Sequence, residues 1–448
     1  MKEKKLKNKI ITMKVGGIVL KNKEGFNQLS KIIEKYSDYN LLIVISAFST
    51  ATRELKESAQ LAEIGEEIKA NQIIDKIRDW HIEYAKTLLK NNAFDDLKQI
   101  IEQAISEIRK YLRGIAITKD LTPRTLDLIM SFGEFLALST VHFYLVSLGI
   151  EHKSIDSRTF IVTNSDYGNA KPIIEITEKK IQDIVIPELQ KYNIVITQGF
   201  VALSQQGEIT TMGIESSNLT ATLLAGLTNA EKLIIWTDTQ GIRTSDPKIV
   251  PNANLIPSLN YPNAYSAGIN GLKLIYPIMI EYAQKYNLKL EYRSAFNIDG
   301  EFTIISSKSK ANNKLMIISK DNLNLIVIDR IKKLDEIELI NHIRSNLKDL
   351  SYMTITPDYI KILTTTTHKK VLTTEKFYYK VFQNFAIITI NNLKHNKENN
   401  FLDIIKQISS NYSATLMDYS IENSFIRLYL PGTYLNETIK LLSDLLER

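Results

Sequence analysis

The run IITMKV (residues 10–15) is apolar at most positions, has strand length, and ends at Gly16-Gly17. NLLIVIS (40–46), NIVITQGF (193–200) and KLIIWTD (232–238) repeat that pattern. Continuous apolar runs of this length are what strands show when a sheet is covered on both faces. Between them, apolar positions recur at helical spacing over 24–37, over 51–114 with breaks, over 122–149 and over 262–285. The segment at 122–149 opens on Thr122-Pro123, a good helix start. LKLEYRSA (288–295) closes the series as a strand. Strands alternating with helices predict an α/β domain with a mostly parallel sheet sandwiched by helices. Such sheets bind ligands where strands end and loops begin. The loops after Val15, Ser46 and Trp236 are therefore the first places to look for chemistry.

The pattern changes after SKSKANNK (307–314), a polar and charged run that reads as a linker between domains at 1–306 and 315–448. Beyond it come two short strands in LMIIS and LNLIVID, a helix near 334–347, and strands within YMTITPDYIKILTTT. A second round follows: FAIITI (385–390), a helix near 399–409, SATLMDY, SFIRLYL and a helix over 434–446. The Lys/Asn-rich piece 391–400 reads as a solvated loop.

Composition narrows the function. The 448 residues contain no cysteine, which excludes disulfides, thiolate metal sites and Cys nucleophiles. Fifty-six Lys and Arg against 50 Asp and Glu leave a formal charge of +6. That mild surplus suits an anionic small molecule and does not call for nucleic acid. The basic start MKEKKLKNK precedes an apolar run that Lys14 and the Gly pair interrupt, so no secretory signal is expected. No uninterrupted apolar run reaches membrane-spanning length, and a cytoplasmic protein without a membrane partner is expected.

Several residues carry candidate chemistry. Lys14-Val15-Gly16-Gly17 places a cation and two glycines at a strand end, which suits a phosphate or forms a plain tight turn. Ser46 and Thr52 either cap the helix starting near Ala51 or touch a ligand. Glu134 sits in an otherwise apolar helix, where a carboxylate is costly unless exposed or paired. Thr237 and Asp238 end a buried strand, and Asp246-Pro247 marks a turn. TTMGIESSNLTATLLAG (210–226) clusters hydroxyls and a glycine before a helical run, as a helix cap or an anion cradle would. It has no Arg or Lys between Gly213 and Ala225.

Taken together, KVGG (14–17), VISA (44–47), SFGE (131–134), QGF (198–200), TTMGIESSNLTATLLAG, WTDTQGIRTSDPKIVPNA (236–253) and NGLKLIYP (270–277) resemble the catalytic domain of aspartate kinases. The C-terminal third falls where that family carries paired ACT regulatory modules. The resemblance implies an amino-acid kinase fold followed by two ACT-like βαββαβ modules. It implies ATP with Mg²⁺ and phosphorylation of the β-carboxylate of L-aspartate to 4-phospho-L-aspartate, the first step toward lysine, threonine and methionine. Lys14 and Asn218 would be catalytic. Lys14, Gly16, Gly17, Thr237, Asp238, Arg243, Lys248 and Lys273 would hold nucleotide, and Ser46, Thr52, Glu134, Phe200 and Ser217 would hold aspartate. No residue is assigned as a metal ligand. An amino-acid effector at the ACT-like region and a homodimer or homotetramer are further implications.

Departures from the family pattern cluster at the site. Its phosphate-loop Thr and Ser are Ile18 and Val19 here, its substrate-binding Arg is Ile214, its Asp is Asn218, and Glu215 takes a place usually held by a small neutral residue. Two readings stay open: an aspartate kinase with a rearranged substrate grip, or a catalytically impaired relative that binds nucleotide, regulates, or phosphorylates another acid.

Overall fold

The computed structural model describes residues 9–48, 50–213, 215–310, 314–329, 340–341, 343, 350–356, 358–365, 379–391, 398–420 and 425–446. Its chain forms two compact units. The first comprises Met1–Ile242, Pro257–Tyr265 and Ile275–Lys310, and the second Arg243–Ile256, Ser266–Leu274 and Ala311–Arg448. Two segments that precede position 306 therefore belong to the second unit.

The first unit is organised by strands β1 (Ile10–Val15), β2 (Asn40–Ile45), β3 (Lys153–Ser154), β4 (Val162–Thr163), β5 (Ile194–Gln198), β6 (Val201–Ser204), β7 (Ile209–Thr211) and β8 (Lys232–Thr237). Eight strands form the main sheet, in the order Ser258–Leu259, Thr303–Ile305, Leu290–Ser294, β8, β1, β2, β5, β3. All neighbours run parallel except Thr303–Ile305 against Leu290–Ser294. Every residue of β2 is buried, as the apolar run NLLIVI requires. A smaller sheet of β4, β6 and β7 lies apart from it. Its strands of two to four residues are too short to announce themselves by pattern.

The helical layers are α1 (Lys23–Lys35), α2 (Ala51–Glu63), α3 (Glu67–Leu88), α4 (Asn92–Thr118), α5 (Pro123–Ser147), α6 (Ile174–Lys180), α7 (Ile186–Tyr192) and α8 (Ser217–Leu227). Thr122 caps α5 by accepting a hydrogen bond from the Thr125 amide, with Pro123 at the first position. Contrary to the expectation from the sequence, α5 is long and apolar enough to cross a membrane. Two-thirds of its most apolar stretch is buried inside the protein, where Ile129, Leu136, Ala137 and Val141 join the main core, so it is a core helix here. All eleven residues of α8 are buried, and it packs on β1, β2 and β8. The helical pattern at 262–285 resolves into Tyr261–Ile269 and Pro277–Lys285. Gly271, at φ 102°, and Pro277 break it between them.

In the second unit, six strands form one antiparallel sheet in the order Leu350–Ile355, Tyr359–Thr364, Met316–Asp329, Tyr379–Asn391, Phe425–Pro431, Thr415–Ser420. LMIIS and LNLIVID, expected as two strands, are one strand of 14 residues whose register slips near Leu323. Helices Glu398–Tyr412 and Leu435–Leu446 contribute Ile408, Ile439 and Leu442 to a core with Ala386, Ile388, Leu428 and Leu430. The architecture is a mostly parallel α/β sheet with flanking helices, followed by an ACT-like antiparallel region. The helix expected near 334–347 lies largely outside the described residues.

Candidate active site

Register brings the strand ends of the first unit to one level. Gln198, Ile45, Val15, Trp236 and Arg293 are aligned across β5, β2, β1, β8 and Leu290–Ser294. Backbone hydrogen bonds carry the alignment one residue further. The amides of Gly16, Ser46, Gly199 and Ala295 donate to the carbonyls of Trp236, Val15, Ile45 and Thr237 at 3.3, 3.2, 3.0 and 2.8 Å. The loops named by the sequence thus leave the sheet side by side, at the carboxyl ends of parallel strands. Gly16 spends its amide on the sheet in doing so. Gly16 lies close to the lysine: a Cβ there would stand 3.4 Å from Lys14 Nζ and 3.6 Å from the Trp236 carbonyl oxygen.

Lys14 is the penultimate residue of β1, between Val44 and Ile235 of its neighbours. Burial pushes its ammonium below the usual lysine range, and the charges of Glu134 and Glu215 oppose that shift. Glu134, on α5, is 4 % exposed. Burial pushes its carboxyl up to about 8, against a hydrogen bond from the Ala47 amide, the Lys14 charge and a hydrogen bond from the Ser217 hydroxyl. This buried carboxylate thus ties together β1, the loop after β2, α5 and the start of α8.

Close packing of the neighbouring elements accompanies that convergence. A Cβ at Gly133 would stand 3.4–3.6 Å from Leu55 Cδ1, Ala47 Cβ and Thr52 Oγ1, so α5 lies directly on α2 and on the loop before it. A Cβ at Gly199 would fall 2.5 Å from Ser217 Cα and 2.8 Å from Ser217 Oγ. Glycine there lets the loop after β5 touch the first turn of α8.

The hydroxyls do not cap helices as the sequence allowed. The N-cap of α8 is Ser216, without a side-chain cap bond, and Ser217 turns its hydroxyl to Glu134 instead. The N-cap of α2 is Thr50, also without one, and Thr52 lies inside the first turn against Gly133. Ser46 Oγ, Glu134 Oε2, Ser216 Oγ and Asn218 Oδ1 are all buried with no hydrogen-bond partner. Buried polar atoms left unpaired cost about 1–3 kcal/mol each. They lie in the loop after β2, on α5 and in the first turn of α8, the segments that Glu134 links, and unpaired groups there suit a polar ligand.

The remaining assigned residues fall as follows. Phe200 is 4 % exposed at φ 67°, packs with Met130 and Val201, and accepts at its carbonyl from the Met212 amide at 3.0 Å. It shapes the wall rather than offering a polar contact. Thr237 Oγ1 donates to Asp238 Oδ1 at 3.2 Å at the end of β8. Val19 is fully buried and Ile18 partly so, anchoring the Gly16-Gly17 turn in the core where the resemblance has hydroxyls. Glu215 takes φ 68°, and its carbonyl accepts from the Asn218 amide at 3.1 Å. Ile214 lies outside the described residues. Arg243, Lys248 and Lys273 belong to the second unit. There the Arg243 guanidinium donates to the Ala253 carbonyl at 3.4 Å. Lys248 is exposed on an Asp246 turn, and exposed Lys273 pairs with Asp321 at 3.6 Å.

Sequence reasoning passed over Asp127. Its buried carboxylate accepts from the Gly168 and Thr211 amides at 2.8 Å each and from Thr211 Oγ1 at 2.7 Å. It pins β7 and the 168 loop just before Gly213, itself at φ 91°. Asp127, like Glu134, is a carboxylate buried in the apolar helix α5.

The site also fits a nucleotide. A lysine and a glycine-tight turn at parallel strand ends are phosphate-binding chemistry. No cluster of three or more His, Asp or Glu side chains suited to a metal occurs among the described residues.

Residues 9–291 match the family model described as the amino acid kinase family. Aspartokinase 2 of Arabidopsis thaliana is 24% identical over 345 residues, 75% of this chain and 62% of that protein. The chain thus spans about three-fifths of that curated relative. Two structures of Escherichia coli aspartokinase III share the fold at 21% identity. The aspartate and ADP complex, termed R-state, has a TM-score of 0.81 over 97% of this chain and 99% of that one. The lysine and aspartate complex, termed T-state, has 0.72 over 98% and 100%. The chain belongs to the amino acid kinase family, and the relatives and solved structures it resembles here are aspartokinases.

Proposed function

We propose that the protein transfers the γ-phosphoryl group of ATP to the β-carboxylate of L-aspartate, giving 4-phospho-L-aspartate. The observation that carries the reading is the set of buried, unpartnered polar atoms from Ser46, Glu134, Ser216 and Asn218 in the segments that Glu134 links. The likeness to a protein solved with aspartate and ADP supplies the substrate class.

The chain's task in such a reaction is positioning and charge neutralisation. Lys14, desolvated and held beside Gly16, opposes negative charge developing on the transferring group. Glu134 faces the substrate's ammonium. Burial holds its carboxyl mostly protonated at neutral pH in the free site, and an arriving cation favours the ionised form. Thr52, beside Gly133, and Ser217, at Glu134, contribute hydroxyls that fix the carboxylate nucleophile for in-line attack. Asn218 offers Oδ1 where the resemblance has an acid, so it orients without adding charge. Thr237 and Asp238, at the end of β8, border the nucleotide. Mg²⁺ supplies charge neutralisation between the phosphates when bound.

Glu215 favours a second reading, a related acid in place of aspartate. Its charge acts on Lys14 and replaces a neutral residue beside a missing Arg. It disfavours a second carboxylate on the substrate. A coupled assay for ADP release with ATP, Mg²⁺ and a panel of amino and carboxylic acids separates the two. Aspartate-dependent release supports the first, and release with another acid alone removes it. The ACT-like region is proposed to bind an amino-acid effector, and lysine titration by calorimetry reads that directly.

A further inference from the structure

Helix α3 touches both loops of the site from behind. The Tyr84 hydroxyl donates to the carbonyl of Leu20 at 2.7 Å, across 64 residues of sequence. Leu20 closes the turn that begins at Gly16, whose own carbonyl accepts from the Val19 amide at 2.9 Å. The Tyr84 ring meets Phe48 edge-on, with centroids 5.8 Å apart at 85°. Phe48 follows Ala47, whose amide binds Glu134, and its carbonyl accepts from the Ala51 amide at 2.9 Å. Phe26, at 5.7 Å and 78°, completes the cluster, and Trp80 and His81 cover Phe48 from the same helix. Leu20, Phe48 and Tyr84 are 0, 2 and 8 % exposed.

We propose that Tyr84 is a positioning residue for phosphoryl transfer, holding the glycine turn by its hydroxyl and the acceptor loop by its ring. The proposal rests on the nucleotide reading of the Gly16-Gly17 turn. The apolar departures explain why such a tie is needed. With Ile18 and Val19 in place of hydroxyl residues, the turn has lost side-chain donors, and Val19 is buried instead. The turn lies directly on α1, since a Cβ at Gly25 would fall 1.6 Å from the Val19 carbonyl oxygen and only glycine fits there. The Leu20 carbonyl is buried, and without the Tyr84 hydroxyl it must shift toward another donor or stay unpaired.

Tyr84→Phe keeps the ring contacts and removes only the hydrogen bond. The test measures ADP affinity by calorimetry with Mg²⁺, the KM for aspartate, and amide hydrogen exchange over residues 16–20, on the full chain. The expected result is ADP binding about 2–10-fold weaker, the worth of one buried hydrogen bond. The KM for aspartate stays unchanged, and exchange at Val19 and Leu20 is faster. A merely structural role would lower the melting temperature and speed local exchange while leaving ADP affinity at the parent value, and that outcome overturns the proposal. If the parent binds ADP but makes no aspartyl phosphate, the affinity ratio still decides on Tyr84, and only the functional reading falls. If the parent binds no ADP, the nucleotide reading of the turn falls and the proposal with it.

Discussion

Replacing Glu134 by Gln tests the electrostatics of the site without emptying it. The amide can still accept from the Ala47 amide and the Ser217 hydroxyl, so the geometry is retained. What changes is titration. A carboxyl raised from the ordinary 4.5 to about 8 in the folded state stays protonated there while the unfolded chain releases its proton. The unfolded state therefore binds fewer protons between those values, and stability falls as pH rises through that window. Below pH 4.5 the group has no effect, and above pH 8 its penalty is constant. Integrating between pH 6 and pH 8 gives a loss of about 2 kcal/mol from this group. Lys14, whose ammonium burial disfavours, acts with the opposite sign: below its lowered value the penalty is full, and stability rises with pH above it. The comparison is therefore repeated in a Lys14→Met background. Trp80 and Trp236, the two tryptophans of the chain, both lie in the first unit, so urea unfolding followed by their fluorescence reports that unit alone. The parent should lose about 2 kcal/mol more than Glu134→Gln between pH 6 and pH 8. Equal pH slopes in parent and variant, in both backgrounds, would refute a buried and raised Glu134.

Two further perturbations probe the packing and the substrate grip. Gly199→Ala drives a methyl into the backbone of Ser217 at 2.5 Å, so the loop after β5 or the start of α8 must move. A loss of about 1–3 kcal/mol, the usual cost of overpacking, should appear in the same urea titration together with lower turnover, and an unperturbed variant would contradict the tight contact. Ile214→Arg combined with Asn218→Asp restores a carboxylate clamp and an acid at the places where the resemblance has them. Aspartate turnover should rise, and no change would place the divergence elsewhere, with Glu215 the first suspect.

Much of the scaffold was legible because burial on both faces of a parallel sheet leaves unbroken apolar runs. The strands at 10–15, 40–45, 194–198 and 232–237 follow their runs to within a residue or two. The short strands β4, β6 and β7 escaped because two to four residues cannot display a period. Local reasoning also misplaced the hydroxyls. Ser217 and Thr52 look like caps when only neighbours in sequence are considered, whereas Ser217 is claimed by Glu134 from 83 positions away in the chain. Gly199 was visible only as part of a string, since its need for a missing side chain arises from a helix that begins at Ser217. Nothing along the chain points to Tyr84, because its partner at Leu20 is set by how α3 crosses the turn.

The central claim is acyl phosphate formation at the Lys14–Glu134 site. Its most direct test is incubation of the full chain with ATP, Mg²⁺, L-aspartate and hydroxylamine, with the acyl hydroxamate detected by mass. The account predicts aspartyl hydroxamate with the parent chain and at least a tenfold drop with Lys14→Met, about 1.4 kcal/mol of lost transition-state stabilisation. Absence of hydroxamate at high protein concentration, with ADP still bound, would contradict it.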